Sequence, residues 1–397
     1  MKPKPIDSVV AQNSAFAFEL YQQLKAKAEN LFFSPYSILT VLAMTYVGAR
    51  ANTAQQMAQV LHFDLEQQPF HQAFGQLQQH LAQNSSGVLL NSANALWIEQ
   101  TLGLLEDFVE VNQDNYQGEL YPVDFRNETE AVRLKINAWV EEKTQGKIQD
   151  ILTAGDLTLL TQLVLVNALY FKGNWVYPFE PELTQQMSFG VTLEKHVEVL
   201  MMQVEEYFNY AENDNMQIIE LSYGKSCGDD EWNYEPVLAV EDFSMLIFLP
   251  KKRDGLFELE STLNAARYEQ LLNQMTQAKV KVFLPKFKLT NRFELSRVLT
   301  QMGMPDAFCE QADFSGINGT QALFISKIIH KTFIEVNEEG TEAAAATIVD
   351  IMLGLGPELE EEPPYVFKAD HPFLFLIRHK PSKTILFLGR LIHPEPE

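Results

Sequence analysis

The spacing of apolar residues changes along the chain from a helical period to runs typical of buried strands. In the first third, apolar side chains recur every three or four positions, which predicts amphipathic helices. Farther along, short runs are apolar on both faces and rich in β-branched and aromatic residues, which is typical of covered strands. The predicted helices span residues 7–24, 38–47, 69–83 and 128–145, and the predicted strands span 161–171, 244–250, 280–284, 322–336 and 373–377.

A helical front followed by scattered strands predicts an α+β fold built around large, mostly antiparallel sheets. No Gly/Ser-rich linker and no internal repeat divides the chain, so residues 1–397 are predicted to form one domain. Hydrophobic residues make up 46% of the sequence, which is enough for a large buried core. The acidic stretch 228–242 is predicted to be a solvated hairpin tip or loop.

The charge of the chain narrows its possible partners. Acidic residues outnumber basic ones 53 to 30, so the net charge is −23. Nucleic acids and anionic membrane surfaces attract basic footprints, so neither is an expected partner. No apolar run has the length needed to cross a bilayer. Residues 1–5 lead into a polar stretch, so no secretory signal peptide is expected, and the protein is cytoplasmic or exported by a trimmed or unconventional route.

The sequence contains no pattern that indicates catalysis or metal binding. Its eight histidines lack zinc-ligand spacing, and nucleophile-elbow, phosphate-binding and dinucleotide-binding motifs are missing. Cys227 and Cys309 lie 82 residues apart and are expected to be free thiols. His330 lies in an apolar segment and is expected to be a hydrogen-bonded core residue. These absences leave an enzymatic activity unsupported rather than disproved. The chain is predicted not to be an enzyme, and no cofactor or metal is expected.

The most unusual segment is 337–364, which reads NEEGTEAAAATIVDIMLGLGPELEEEPP. A loop this long in a compact domain is uncommon and is usually functional or disordered. The four consecutive alanines favour a surface helix equally well, because alanine has the highest helix propensity. Thr341 and the alanines at 343–346 are small, so this part of the segment could enter a narrow space between strands without overpacking it.

Five groups of residues, in order along the chain, resemble the serpin family of large serine-protease inhibitors. They are FSPYSI at 33–38, LVNALYFKGNW at 165–175, LPKF at 284–287, NEEGTEAAAAT at 337–347, and the closing pair HPF at 371–373 and FLGR at 387–390. The resemblance covers nearly the whole chain. It implies an α+β fold with three β-sheets, about nine helices and an exposed reactive-centre loop region at 337–364.

The resemblance also implies a suicide mechanism of inhibition. A target serine protease cleaves the loop and becomes covalently bound as an acyl-enzyme, and the cleaved loop inserts into the main sheet. The inhibitor is a metastable protein, expected to be a monomer. The alternative is a non-inhibitory serpin that serves as a carrier, chaperone or storage protein. The alanines at 343–346 argue against that alternative, because such members usually carry bulky or charged residues in this position.

Three sets of residues take family roles by their match to these motifs. The hinge, which must enter the sheet, comprises Glu338, Glu339, Gly340, Thr341, Glu342, Ala343, Ala344, Ala345, Ala346 and Thr347. The breach, at the top of the sheet where insertion begins, comprises Trp175, Lys286 and Glu338. The shutter, a polar cluster beneath the opening strands, comprises Ser34, Ser37, Asn167 and His330.

Counting from the hinge as in the family places the reactive bond at Gly354–Leu355, with Leu353 and Met352 as further candidates. Residues 341–362 contain neither Arg nor Lys. Trypsin-like pockets need a cation, so chymotrypsin-, elastase- or subtilisin-like proteases are the expected targets. Some family members are accelerated by heparin through basic residues on a helix in the first third. The matching region, 69–83, has no Lys or Arg, so heparin activation is not expected.

Overall fold

The computed structural model describes residues 4–82, 87–225, 241–341 and 363–394. Several of the predictions fall outside these ranges. They are the acidic loop up to residue 240, Cys227, the hinge from Glu342 onward, and the reactive-bond candidates Met352, Leu353, Gly354 and Leu355.

Ten α-helices lie in the described part of the chain, and they include all four that the apolar spacing predicts. Ser34 illustrates a local cause: its side chain accepts a hydrogen bond from the backbone N–H of Ser37, and Pro35 occupies the first helical turn of the second helix. The helices are α1 (Pro5–Leu24), α2 (Pro35–Tyr46), α3 (Ala51–Val60), α4 (Gln67–Leu81), α5 (Glu106–Tyr116), α6 (Thr129–Lys143), α7 (Leu256–Thr262), α8 (Ala265–Leu272), α9 (Ser296–Met302) and α10 (Ser315–Asn318).

Fifteen strands are described, and the five that the sequence predicts are among them. The predicted strand at 322–336 begins only at Lys327. The strands are β1 (Leu31–Phe33), β2 (Val88–Glu99), β3 (Glu119–Val123), β4 (Leu163–Asn174), β5 (Gln185–Gly190), β6 (His196–Glu212), β7 (Met216–Tyr223), β8 (Phe243–Pro250), β9 (Thr276–Pro285), β10 (Phe287–Glu294), β11 (Lys327–Val336), β12 (Gly340–Thr341), β13 (Tyr365–Lys368), β14 (Phe373–His379) and β15 (Thr384–Leu391).

The main sheet contains six strands in the order β10-β11-β12-β4-β2-β3. One face covers the larger core, to which α1 and α2 contribute, and the other face covers a smaller core with Ile136 and Val140 of α6. Strand β4 is therefore buried on both faces, as its continuous apolar sequence predicts.

The other strands form one hydrogen-bonded network of nine. Strand β6 has 17 residues and joins two parts of this network. Residues 209–212 of β6 pair with β7, while earlier residues pair with β5, and residues 201–210 pair with β9. The three sheets expected from the resemblance are therefore the main sheet and the two parts joined by β6, and the α+β prediction is confirmed.

Strand β2 lies in the part of the chain predicted to be mostly helical. Its sequence, VLLNSANALWIE, is interrupted by Asn91, Ser92 and Asn94, so it has no apolar run that would indicate a central strand. It nevertheless pairs with β4 over eleven positions, from Val88 to Ile98. Pairing with a buried neighbour has determined its conformation, which local spacing could not show.

A buried ion pair anchors the end of the chain to the larger core. The guanidinium of Arg390 lies 2.8 Å from the carboxylate of Glu260, which also accepts a hydrogen bond of 2.5 Å from the hydroxyl of Tyr21. All three residues are under 5% exposed.

We expect Glu260→Gln to lower stability by about 3 kcal/mol, because it leaves the buried guanidinium of Arg390 without a counter-charge. Thermal unfolding of both proteins measures the change. Glu258→Gln on the same helix is the matched control, since the Glu258 side chain is 62% exposed and lies 3.8 Å from Lys252. Equal losses in the two variants would contradict the argument.

Candidate functional site

Part of the hinge already lies inside the main sheet. Gly340 and Thr341 form β12 between β11 and β4, with Thr341 opposite Val336 on one side and opposite Gly173 on the other. Both pairings are antiparallel. The exposed loop implied by the resemblance therefore does not include Gly340 and Thr341, which are both buried. Their small side chains allow this position.

Strands β4 and β11 pair directly with each other only in the part of the sheet that β12 does not reach. Their parallel ladder runs from Lys327↔Val164 to Thr332↔Leu169. Above that point β12 occupies the place between them, next to Val336 and Gly173. The sheet is thus closed at one end of this strand pair and already divided at the other.

Gly340 is required by the close approach of the two backbones. A Cβ atom at this position would lie 2.1 Å from the carbonyl oxygen of Gly173 and 2.8 Å from the Cα of Asn174. Both contacts are to backbone and cannot be relieved by a rotamer change, so only glycine fits between β11 and β4 here.

The breach residue Trp175 holds the turn that leads into β12. Its Nε1–H donates to the carbonyl of Asn337 at 3.0 Å, and its backbone N–H donates to the carbonyl of Glu339 at 2.8 Å. Its ring stacks on Tyr223 with a centroid distance of 4.4 Å. The hydroxyls of Tyr223 and Thr341 are hydrogen-bonded at 2.7 Å. Trp175 and Tyr223 together fix the hinge where it enters the sheet.

The other two breach residues form an ion pair at the same end of the sheet. Lys286 Nζ lies 3.2 Å from Glu338 Oε2, and both side chains are largely buried. Thr184 donates its hydroxyl to Glu338 Oε1 at 2.9 Å, and the backbone N–H of Phe179 donates to the Glu338 carbonyl at 2.8 Å. The structure therefore brings Trp175, Glu338 and Lys286 together at this end of the sheet, and their role as the breach stays a prediction. Burial and the nearby Glu338 carboxylate raise the pKa of Glu339.

The four shutter residues also meet, beneath the hinge. His330 Nε2 accepts the backbone N–H of Ser34 at 3.0 Å, so Nδ1 carries the proton and donates to Asn167 Oδ1 at 2.5 Å. The Nδ2 group of Asn167 donates to the Ser37 carbonyl at 2.7 Å. Ser34 Oγ accepts the Ser37 N–H at 3.1 Å and donates to the carbonyl of Leu386 at 2.6 Å. His330 is fully buried, and burial lowers its pKa to about 3, so the imidazole is neutral.

This cluster opposes separation of the two central strands. His330 of β11 and Asn167 of β4 are direct partners in the parallel ladder, and their side chains are bonded across it. A strand that entered between β4 and β11 would have to break that bond. An unpaired buried polar group is costly, so the cluster stabilises the closed sheet.

The structure adds four residues that sequence reasoning missed. Asn94 of β2 accepts hydrogen bonds from Asn167 Nδ2 and from the Ser37 hydroxyl. Tyr223, Thr184 and Asn337 complete the breach. Asn94 carried no usable signal, because its segment is interrupted by polar residues and does not resemble a buried strand. Asn337 opens the motif at 337–347, whereas Tyr223 and Thr184 carried no local signal.

Within the described ranges, no group of three His, Cys, Asp or Glu side chains could hold a metal ion. Cys309 is a free thiol in a partly buried position. No described helix combines the length and apolar character needed to cross a membrane.

Comparison with known proteins gives consistent matches over the whole chain. The family model described as "Serpin (serine protease inhibitor)" matches residues 11–394. Leukocyte elastase inhibitor of Xenopus tropicalis is 41% identical over 389 residues, covering 96% of this chain and 97% of the relative. The crystal structure of uncleaved ovalbumin has a TM-score of 0.85 at 31% identity, covering 98% of this chain and 100% of that one. Human thyroxine-binding globulin has a TM-score of 0.85 at 28% identity, covering 99% and 100%.

We expect Gly340→Ala to expel β12 from the sheet, because the new methyl group would overlap the backbone at Gly173. The change should alter the fluorescence of Trp175, whose indole bonds to the turn, and should make the hinge more accessible to limited proteolysis. Gly190→Ala is the control, since its nearest neighbour would lie at 3.4 Å, an ordinary contact. A hinge equally protected in all three proteins would contradict this interpretation.

We expect the closed sheet to lose stability in acid. His330 is neutral in the folded protein with a pKa of about 3, against 6.5 in the unfolded chain. Between these two pKa values only the unfolded chain takes up the proton. The contribution of His330 to stability is therefore complete above about pH 6.5 and is lost as the pH falls toward 3. Melting temperatures across this range measure the effect.

His330→Gln should flatten that pH dependence, although not abolish it. Burial also lowers the pKa of His71 and of His379 to about 4, and both groups act with the same sign. A pH profile of the same steepness in the variant and the wild type would show that His330 titrates normally.

Proposed function

The chain belongs to the serpin family, and from that premise we propose that it inhibits serine proteases by cleavage and insertion of its own loop. The observation that supports this most directly is β12, because the hinge already occupies the space between β4 and β11. After β12 comes Glu342, and the next four residues, 343–346, are all alanine. A segment of such small side chains can extend the strand without overpacking the sheet.

In the proposed reaction the serine hydroxyl of the protease adds to the carbonyl carbon of the residue before the cleaved bond. The peptide bond breaks, its nitrogen leaves as a new amine, and an ester links the two proteins. The bond we propose is Gly354–Leu355, with Leu353 and Met352 as alternatives on the acyl side. Chymotrypsin-, elastase- or subtilisin-like enzymes fit a segment without Lys or Arg. The inhibitor contributes no catalytic group.

The register of β12 predicts what insertion must disrupt. If the antiparallel pairing of Thr341 with Val336 and Gly173 continues, residue 347 reaches His330 on one side and Asn167 on the other. These two residues carry the hydrogen bond that closes the strand pair. Insertion as far as Thr347 therefore replaces that bond with new ladder hydrogen bonds. The shutter resists insertion until cleavage frees the loop to extend the strand.

Insertion would extend an antiparallel strand through the middle of the main sheet. The added strand would make the inserted form more stable than the metastable active form, so the change would run in one direction. We also propose that the 397 residues act as one domain and as a monomer. We do not expect heparin to accelerate inhibition, because α4 has neither Lys nor Arg and the chain carries a net charge of −23.

The experiment that tests the proposal is incubation with chymotrypsin-, elastase-, subtilisin- and trypsin-like proteases. We expect an SDS-stable complex with at least one of the first three, with the cleaved bond mapped by mass spectrometry. The cleaved protein should melt at a higher temperature than the intact one. Cleavage without a complex and without a rise in melting temperature would support the non-inhibitory alternative, a carrier, chaperone or storage protein.

We expect Thr341→Arg to convert the protein from an inhibitor into a substrate. Thr341 has no solvent exposure, so an arginine in its place would be buried in the sheet without a partner. Burying that charge would cost several kcal/mol or more of free energy. The ratio of complex to cleaved protein on a denaturing gel measures the change. Thr290→Arg is the control, because Thr290 is exposed on β10 of the same sheet. Full inhibition by Thr341→Arg would exclude the proposed mechanism.

A further inference from the structure

A cavity of about 390 Å³ opens between α4 and α5. The two helices are in close contact at one end of it, where a Cβ atom on Gly75 would lie 2.9 Å from the carbonyl oxygen of Asn115. From that contact the cavity extends to the first turns of both helices, marked by Gln68 and Asp107. Its volume is within the range of about 300–1,000 Å³ that small-molecule sites occupy. None of the described residues of the hinge, the breach or the shutter lines it.

The buried part of the cavity lining is apolar except for one imidazole. Three of the lining side chains are almost fully buried: Val47, Phe108 and His71. The valine and the phenylalanine offer an apolar surface to an occupant, whereas His71 brings two polar nitrogens and is only 4% exposed. A polar group at this depth needs hydrogen-bond partners, because leaving one unpaired costs free energy.

One of the two His71 nitrogens has no such partner. Nδ1 lies 2.5 Å from the hydroxyl of Tyr116, which is also buried. That hydroxyl is a donor that needs an acceptor, so we assign its proton to the bond with Nδ1, and Nε2 then carries the ring proton. Nε2 is buried and has no hydrogen-bond partner among the described residues. His71 therefore brings an unused donor to the cavity, and an oxygen atom of a ligand would satisfy it.

Arg50 brings a fixed positive charge to the same cavity. Its Nη1 group donates to the carbonyls of Val47 at 2.9 Å and of Ala49 at 2.8 Å. The guanidinium also lies against Gly316, which has no side chain to displace it. Burial and the nearby charge of Arg50 lower the pKa of His71 to about 4, so the imidazole beside the guanidinium is neutral. The two side chains together suit a carboxylate, which accepts hydrogen bonds from both.

Three carboxylates line the cavity from α5, and they belong to Asp107, Glu110 and Asp114. Their spacing of three and four residues places them on one face of the helix. All three are exposed, so they lie where the cavity opens to solvent. Arg50 is the only Lys or Arg among the described residues that line the cavity. The walls therefore carry charges of opposite sign on different elements of the fold.

We propose that this cavity binds a small zwitterion, an α-amino acid with an apolar side chain. The carboxylate of the ligand accepts hydrogen bonds from Arg50 and from Nε2 of His71, and its ammonium group lies against the carboxylates of α5. Its side chain packs on Phe108 and Val47. A simple amine would be repelled by Arg50 and would leave the His71 donor unpaired, while a simple carboxylate would face three like charges. A ligand with both charges satisfies both walls.

Three probes that share one carbon skeleton test this assignment. L-leucine carries both charges, 3-methylbutylamine lacks the carboxylate, and 4-methylpentanoate lacks the ammonium group. NMR titration of the intact protein at low salt measures the affinity of each probe. We expect leucine to bind about tenfold more tightly than either of the other two, because each of them loses one of the charged contacts.

The variant His71→Phe keeps a ring in the cavity lining and removes the Nε2 donor. We expect it to weaken the binding of leucine and of 4-methylpentanoate about tenfold and to leave 3-methylbutylamine unchanged. His80→Phe is the matched control, because His80 is exposed on the same helix and does not line this cavity. A loss of packing alone would weaken all three probes equally, so the pattern across the probes isolates the hydrogen bond.

A second variant tests the acidic wall at the surface, where the fold is not at risk. Glu110→Gln with Asp114→Asn should weaken the binding of leucine and of 3-methylbutylamine about tenfold and should not weaken that of 4-methylpentanoate. The control is Glu141→Gln with Glu142→Gln, which makes the same change in net charge at exposed positions on α6. Melting temperatures check that each variant is folded.

Leucine that binds no more tightly than the two single-charge probes would overturn the proposal. So would an equal affinity of leucine for the wild type and for both cavity variants. Tighter binding of 3-methylbutylamine than of leucine would indicate a site for simple cations and would also overturn it. None of these measurements involves a protease, so their outcome is independent of the proposed inhibitory function.

Discussion

The parallel pairing of β4 with β11 is the constraint on which the rest of the structure depends. These strands are held by six ladder positions and by the bond between His330 and Asn167 at their centre. Both residues are buried, so breaking that bond would leave two polar groups without hydrogen-bond partners and would cost free energy. The two strands therefore stay paired around His330 and Asn167, and β12 lies between them at the end that carries Val336 and Gly173.

Polar contacts from both faces reach the central strands and their neighbour β10. On the side of the larger core, Ser34 and Ser37 at the start of α2 bond to His330 and Asn167. On the other side, the segment after α6 is tied down by Asp156, which lies 2.6 Å from Arg292 of β10 and 3.2 Å from Lys327 of β11. The central strands are therefore bonded to α2 on one face, while β11 and its neighbour β10 are bonded to the segment after α6 on the other.

The described chain stops at Thr341 and resumes at Pro363, and the strands next to these two points belong to different sheets. One end is β12 in the main sheet, fixed by Trp175 and Tyr223. The other is β13, the last strand of the nine-stranded order, fixed to β9 along four residues. Because β12 is anchored beside β4 and β13 beside β9, cleavage between them would release the first end to move while the second stays in place.

Local sequence determined a large part of this protein. The apolar spacing predicted the main helices and the central strand, and the small residues after Gly340 indicated a segment able to enter a sheet. The motifs pointed to the residues assigned to the breach and the shutter, and the structure brings each group together, while their roles stay predictions. Strand β2 was missed because its polar residues hid a strand that depends on its neighbour.

Tertiary structure alone decided which polar groups meet and which hinge residues are already seated. The His330–Asn167 bond joins residues 163 positions apart, and the Ser34–His330 bond joins residues 296 positions apart. Such contacts depend on strand register, and a shift of one residue would turn each side chain to the opposite face. The roles of Asn94 and Tyr223, and the burial of Gly340 and Thr341, follow from that register. Sequence fixes which side chains are small, apolar or polar, but only the folded sheet brings distant positions within hydrogen-bonding distance.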